Sequence, residues 1–178
     1  MGTLLPLTLV AMLARAESPA PAPSEYQVKA AFLYNFVKFV EWPAAAIDSR
    51  EPITLCVLGK DPFGGELARA IEGKSVNGRP IATRRISEAV AAQSCQVLFV
   101  SSSESGRVAE ILKTIRAWSI LTVSDADRFS ERGGMISFVM DDQRVRFQIN
   151  AKAAEAADLK ISSKLLKLAA AAGFKRRN

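Results

Sequence analysis

Apolar residues first recur at helical spacing in residues 26–41, which read YQVKAAFLYNFVKFVE. Two apolar rows run side by side there, and polar residues are confined to a narrow stripe. An apolar surface this broad is typical of a helix that is buried on two sides. We expect one side to pack on a sheet and the other to contact a second subunit or a partner protein. The first row is Tyr26, Ala30, Leu33, Val37 and Val40, and the second row is Phe32, Phe36 and Phe39.

After this helix, short apolar runs alternate with amphipathic segments. Strands are predicted at 53–59, 95–101 and 119–124, and a turn followed by a short strand at 76–86. Helices are predicted at 62–73, 87–93, 101–118 and 125–132. Asp61 and Pro62 are suited to the N-cap and first helical position of the segment 62–73. Ser101 and Glu104 have the spacing of a capping box.

The last third of the chain alternates with the period of two that is typical of an antiparallel hairpin, with its turn around Asp141 and Asp142. Asn150 can cap a helix that follows. A final helix at 161–173 has Ser162 or Ser163 as its cap and Gly173 as its terminator. The pattern therefore predicts a single-domain α/β sandwich with a mixed sheet and a C-terminal β-hairpin plus helices. The hairpin residues expected to face the core are Ile136, Phe138, Met140, Val145, Phe147 and Ile149.

Composition agrees with one globular domain: the chain has 178 residues, of which 49% are hydrophobic. The net charge of +6 is spread thinly, and its one dense cluster is the basic tail 174–178. Such a tail is typical of a solvated chain end. Because no basic stripe is interleaved with aromatic residues, we expect no nucleic-acid binding.

The N-terminal residues have the pattern of an export signal. The apolar run 4–13 is too short to span a bilayer, and Ala14-Arg15-Ala16 fits a signal peptidase site. We therefore predict a signal peptide at 1–16 that is cleaved near Ala16, a Pro/Ala-rich tether at 17–24 and a folded domain at 25–173. This organisation predicts a periplasmic protein.

The chain has two cysteines, Cys56 and Cys95, each within a predicted apolar strand. In an oxidising compartment they could form a disulfide between neighbouring strands. Two reduced thiols in the core would fit the same pattern. The absence of a CxxC motif argues against a thioredoxin-type catalyst.

The sequence contains few of the residue patterns that are typical of catalytic or ligand-binding sites. GKDPFGG at 59–65 is not expected to bind phosphate, because the Asp61 carboxylate would occupy the free amides of the helix. The chain has no histidine, which removes His-based triads and His-ligated metal sites. Ser101 to Ser103 follow a strand without an evident base, so capping is their expected role. We therefore expect no catalytic, metal-binding or cofactor-binding residues, and a binding or regulatory protein rather than an enzyme.

Four segments in order, YQVKAAFLYNFVKFVEWP, ITLCVLGKDPFG, GRPI and INAKAAEAADLKISSKLLKLA, give the chain a family resemblance. Together they resemble the YfiR family of periplasmic regulators of inner-membrane diguanylate cyclases. The resemblance implies an α/β sandwich that forms a homodimer. It also implies that Cys56 and Cys95 are the core disulfide pair. A second cysteine pair, found in some members near the hairpin, is absent here.

The resemblance further implies a mechanism. A YfiR-like protein binds the periplasmic sensor region of the cyclase, holds it inactive and so lowers cyclic di-GMP, which disfavours biofilm growth. An outer-membrane lipoprotein can sequester the repressor. On this view Phe32, Phe36 and Phe39 are candidate dimer or partner contacts, with a purely core role as the alternative. A different class of function, binding of a small solute near Gly59 and Ser101 to Ser103 at the carboxyl ends of the strands, stays open.

Overall fold

A seven-stranded mixed sheet forms the centre of the computed structural model, which describes residues 22–46 and 51–171. Its strands are β2 (Ile53–Leu58), β3 (Ser75–Val76), β4 (Arg79–Ile86), β5 (Val97–Val100), β6 (Leu121–Ser124), β7 (Ile136–Asp141) and β8 (Arg144–Ile149). They are ordered β3-β4-β2-β5-β6-β7-β8 across the sheet. The five central strands β4, β2, β5, β6 and β7 are parallel, whereas the edge strands β3 and β8 run antiparallel to their neighbours. The mixed sheet and the hairpin confirm the predicted fold class.

Helices cover both faces of this sheet. Because side chains alternate along a strand, Leu55 and Val57 of β2 enter one apolar cluster, whereas Cys56 and Leu58 enter another. The first cluster lies beneath the helices α1 (Glu25–Phe39), α2 (Glu66–Ile71) and α5 (Ser163–Ala171). The second lies beneath α3 (Val108–Ile115) and a 3-10 segment at Ala89–Ser94. Between β8 and α5 lie a short helix α4 (Ala151–Glu155) and a short strand β9 (Lys160–Ile161).

The long helix α1 begins in a capping box: the Ser24 hydroxyl accepts a hydrogen bond from the Gln27 amide, and the Gln27 side chain accepts one from the Ser24 amide. It ends two residues earlier than the sequence predicts. Val40 and Glu41 form strand β1, which pairs antiparallel with Ile161 and Lys160 of β9. The end of the first helix is therefore tied to the C-terminal part of the domain.

The helices predicted at 62–73 and 125–132 are replaced by turns in part or entirely. The segment after β2 becomes helical only at Glu66, because the Asp61 carboxylate accepts a hydrogen bond from the Phe63 amide and forms a turn instead of an N-cap. The segment 125–132 forms turns rather than a helix. There Arg128 has a left-handed backbone with φ of +54°, and the Ser124 hydroxyl accepts from the Ala126 amide.

The hairpin turns on Asp142 and Gln143, both with positive φ, as a two-residue turn between antiparallel strands requires. Its predicted inward face is confirmed at Ile136, Phe138 and Phe147, which are buried. Met140 is instead 49% exposed, because it lies close to the turn and beyond the helices that cover the base of the hairpin.

Two predicted caps are confirmed: Asn150 accepts from the Ala153 amide and Ser162 from the Leu165 amide. Within residues 22–46 and 51–171, no helix is long and apolar enough to cross a membrane. The predicted signal peptide at 1–16, most of the tether, Gly173 and the basic tail lie outside the described residues.

Candidate functional site

The carboxyl ends of β2 and β5 meet where the strand order changes direction, and an α/β sheet most often binds a ligand at this point. Here that crevice is filled by side chains. The Ser103 hydroxyl accepts a hydrogen bond from the Lys60 amide at 3.0 Å, which joins the two loops directly. A Cβ atom placed on Gly59 would lie 2.6 Å from Ser103 Oγ and 2.7 Å from Glu104 Cγ. The geometry leaves no space for a solute between Gly59 and Ser103.

The serines after β5 hold this loop together. Ser101 is 3% exposed, and its hydroxyl accepts from the Ser103 amide at the start of a 3-10 turn. The predicted capping box is not formed, because the Ser101 amide donates to the Leu58 carbonyl rather than to the Glu104 side chain. Glu104 instead pairs with Arg107. The structure thus gives the serines capping and bridging contacts.

A buried ion pair that the sequence pattern did not predict lies beside this loop. Lys29 of α1 is 3% exposed, and its Nζ atom lies 2.9 Å from Oδ2 of Asp125, which follows β6. The Tyr26 hydroxyl donates to the same carboxylate oxygen at 2.8 Å, and the Ser102 amide donates to its other oxygen at 3.1 Å. Glu25 provides a second carboxylate for Lys29. One carboxylate therefore joins the first helix to the loops that follow two strands.

This network raises the pKa of the Tyr26 hydroxyl well above its ordinary value. Burial is the main cause, and the hydrogen bond to the Asp125 carboxylate adds to it, because a phenolate would be repelled by that negative charge. The sequence did contain a signal for the network. Lys29 occupies the same helical face as Tyr26 and Leu33, and a lysine on an apolar face needs a buried acidic partner.

An open cleft of about 490 Å³ adjoins this ion pair at the carboxyl ends of the strands. Its walls combine the charged pair with aromatic and thioether side chains. The main lining residues are Tyr26, Lys29, Asp125, Arg128, Phe138 and Met140. The cleft offers polar and apolar contacts to a small molecule, but Lys29 and Asp125 already pair with each other.

The two cysteines form a disulfide on the opposite face of the sheet. Cys56 lies in β2 and Cys95 directly before β5, with their Cα atoms 5.9 Å apart and both residues buried. This confirms the pairing that the family resemblance implied. The guanidinium of Arg84 lies over the bridge, with Nη2 3.5 Å from Cys95 Sγ and hydrogen-bonded to the Ala91 carbonyl at 2.7 Å.

The three phenylalanines of the second helical row have different positions. Phe36 is wholly buried, with its ring centroid 5.0 Å from that of Phe147 and 5.7 Å from that of Phe138. It therefore has no surface to offer a partner in this fold. Phe32 and Phe39 are half-buried against the same core. A contact at this face would have to involve these two residues.

Comparison with known proteins gives a family match and a solved structure of similar fold. The family model described as DUF4154: YfiR/HmsC-like matches residues 26–170. No curated protein matches the chain. Among solved structures, the chain is similar to a conserved domain protein from Vibrio cholerae O1 biovar El Tor str. N16961, with a TM-score of 0.56 and 12% identity. The similarity covers 82% of this chain but only 59% of that one. At this low sequence identity, the similarity shows a shared fold alone.

Proposed function

The protein belongs to the YfiR/HmsC-like family, and from that premise we propose that it is a periplasmic, non-enzymatic repressor of an inner-membrane diguanylate cyclase. It would bind the periplasmic sensor region of the cyclase and lower cyclic di-GMP. Such a repressor acts by binding the inactive cyclase more tightly than the active one, which shifts the population. The observation that carries the proposal is the family match, which extends over nearly the whole described domain.

The geometry of the carboxyl edge supports a binding role. The crevice at Gly59 is closed by Ser103 and Glu104, and the hydroxyls there serve the loop itself. What the domain offers is a set of rigid surfaces on a disulfide-linked sheet. An outer-membrane lipoprotein that sequesters the repressor is part of the same proposal.

The test of this function is cellular cyclic di-GMP in the native host, measured with the gene present, deleted and restored. We expect the level to rise on deletion and to fall again on restoration. An unchanged level under conditions where the protein is present in the cell would contradict the proposal.

Self-association through the first helix belongs to this proposal as well. Phe32 and Phe39 are the half-buried residues that could extend across a homodimer or partner interface. In the proposed arrangement, Phe39→Ser leaves the protein folded and weakens self-association or cyclase binding, measured by sedimentation and pull-down. Phe36→Ala is the contrasting variant, because its effect comes through the core.

A second candidate function is binding of a small solute, and the cleft beside Lys29 and Asp125 favours it. Of the residues that the sequence suggested for a solute site, Ser102 lines this cleft, whereas the loops touch between Gly59 and Ser103. A solute bound in the cleft would raise the melting temperature, and above its Kd the rise would grow with the logarithm of the solute concentration. If periplasmic metabolites leave the melting temperature of the purified protein unchanged, this candidate fails.

A further inference from the structure

Strand β8 forms one edge of the central sheet, and its ladder runs to β7 alone. Within the part of the chain that the structure describes, residues 144–149 have no other backbone hydrogen bond. The N–H and C=O groups that point away from β7 therefore have no backbone partner among the described residues, although α5 packs against the same strand. An open edge of this kind is a ready template for pairing with an extended segment.

Two arginines stand on the face of β8 that the helices leave uncovered. Arg144 is exposed, and the Arg146 side chain is 34% exposed. Phe147, whose side chain lies on the other face of β8 against α1, is buried. The Nε atom of Arg146 is buried and has no hydrogen-bond partner. Its nearest carboxylate, that of Asp141, is 3.8 Å away. Arg144 has no ion pair with any residue in 22–46 or 51–171. A buried guanidinium N–H without an acceptor costs free energy that a carboxylate could recover.

The arginines on β4, towards the other side of the sheet, behave differently. Arg85 donates to the Asp61 carboxylate at 2.6 Å, and Arg84 donates to the Ala91 carbonyl and to Ser94 Oγ. The edge beyond β4 is also covered in part by β3. At β8, by contrast, an arginine Nε atom without a hydrogen-bond partner lies beside an exposed arginine and an open strand edge.

We propose that β8 is a docking strand for an extended acidic segment of the partner protein, which adds to the sheet and places carboxylates on Arg144 and Arg146. Side chains two residues apart on a strand are about 6.7 Å apart, so the segment would carry acidic residues at alternate positions. This inference rests on the proposed function, since it assigns the surface by which the cyclase region is held. The charge-assisted hydrogen bonds give the contact its specificity.

The arginines also argue against a second copy of the chain at this edge. If β8 paired antiparallel with another β8, side chains on the same face would meet across the pair. In the registers that place Arg146 opposite Arg144 or Arg146 of the second copy, like charges meet, which is destabilising. An acidic strand would place carboxylates opposite the arginines. Charge complementarity therefore favours an acidic strand as the occupant of this edge.

The test uses the purified protein and two labelled eight-residue peptides, one in which glutamates alternate with valines and one in which the same residues form two blocks. We expect the alternating peptide to bind at least about tenfold more tightly by fluorescence anisotropy, because only it can place carboxylates at the strand spacing. N-methylation of the amides that would face β8 should abolish the preference. Equal affinity for the two isomers, or no effect of N-methylation, would overturn the proposal.

Charge-reversal variants locate the site. Arg144→Glu combined with Arg146→Glu should weaken the alternating peptide by about tenfold or more. The matched control is Lys113→Glu combined with Arg116→Glu on α3, which makes the same change in net charge at exposed positions. We expect the control to change the affinity by less than about twofold. A control as damaged as the β8 variant would mean that net charge alone attracts the peptide.

The same variants separate this inference from the function on which it rests. If gene deletion raises cyclic di-GMP and the β8 variant, at wild-type abundance, still restores the low level, the docking strand is wrong and the repressor function stands. If deletion has no effect, the function fails, and the peptide preference alone decides whether β8 binds acidic strands.

Discussion

Lys29 Nζ lies 2.9 Å from Oδ2 of Asp125, which joins the first helix to the loop after β6 across 96 positions of sequence. Both side chains are nearly inaccessible, at 3% and 7% exposed. Without Asp125, the buried ammonium of Lys29 keeps only the carboxylate of Glu25, whose side chain is 41% exposed. The loss of the buried partner therefore costs more than the pair itself contributes. The contact therefore helps to fix the position of α1 against the carboxyl edge of the sheet.

We expect Asp125→Asn to lower the free energy of unfolding by about 3 kcal/mol, because Lys29 loses its buried carboxylate. Urea denaturation followed by circular dichroism measures the change. Asp127→Asn is the matched control, since Asp127 is exposed and two positions away, and its cost should stay within about 0.5 kcal/mol. Equal losses in the two variants would mean that the pair has no special structural role.

The raised pKa of Tyr26 predicts a loss of stability at alkaline pH. The folded state favours the protonated hydroxyl, so its contribution is complete below the unfolded pKa of about 10 and is lost as the pH rises towards the folded value. Between about pH 9 and pH 11.5, wild-type stability should therefore fall more steeply than that of Tyr26→Phe. Tyr34→Phe is the control, and it should retain the wild-type slope. Parallel slopes for wild type and Tyr26→Phe would contradict the prediction.

The Cys56–Cys95 bridge should make a measurable contribution to stability. It closes a loop with a sequence separation of 39, for which the chain-entropy model gives about 4 kcal/mol. The Cys56→Ala, Cys95→Ala double variant should therefore unfold at lower urea and no longer respond to reductant. Titration of denatured, unreduced wild-type protein should find no free thiol. Two reactive thiols would show that the bridge is absent in solution.

Gly59→Ala should test whether the crevice between β2 and β5 is closed. Gly59 has φ of +88° and a side-chain contact that a Cβ atom would violate, so we expect a loss of about 2 kcal/mol. Gly64→Ala is the control, because φ there is +59° but no atom lies within 4 Å of the added Cβ. Its loss should be about 1 kcal/mol, from backbone strain alone.

Ser103→Ala in the Gly59→Ala background provides the second arm of that test. Removing the hydroxyl relieves the close approach to the new Cβ atom, so the double variant should be more stable than the sum of the single losses predicts. Strict additivity would indicate that the two loops are not in contact and would reopen the crevice as a solute site.

Local patterns were sufficient where neighbours along the chain decide the structure. The alternation in 135–149 predicted the hairpin, because period two and turn residues determine both its strands and its inward face. It was wrong at Met140, since the pattern does not show how far along the hairpin the covering helices reach. Asn150 and Ser162 were predicted correctly as caps because capping depends on residues only three positions away.

The sequence was insufficient where contacts with residues distant in the chain decide the local conformation or the burial of a side chain. Asp61 was expected to cap a helix, but it forms a turn with Phe63 and pairs with Arg85, which the parallel sheet brings beside it. The sequence left Phe36 open between a partner contact and a core role, and Phe138 and Phe147 of the hairpin enclose it. Neither partner is near in sequence, so helical periodicity could not assign the burial.

The sequence by itself determined the class of fold, the longer strands of the central sheet and the family resemblance, because hydrophobic periodicity and short motifs are properties of neighbouring residues. It left the state of Cys56 and Cys95 open between two alternatives on residue chemistry alone. Only the tertiary structure decided that they meet, that Lys29 finds Asp125, that Ser103 fills the crevice at Gly59, and that Arg146 lies beside an open strand edge. Each of these depends on the order of strands in the sheet, which brings together residues that are remote in the chain.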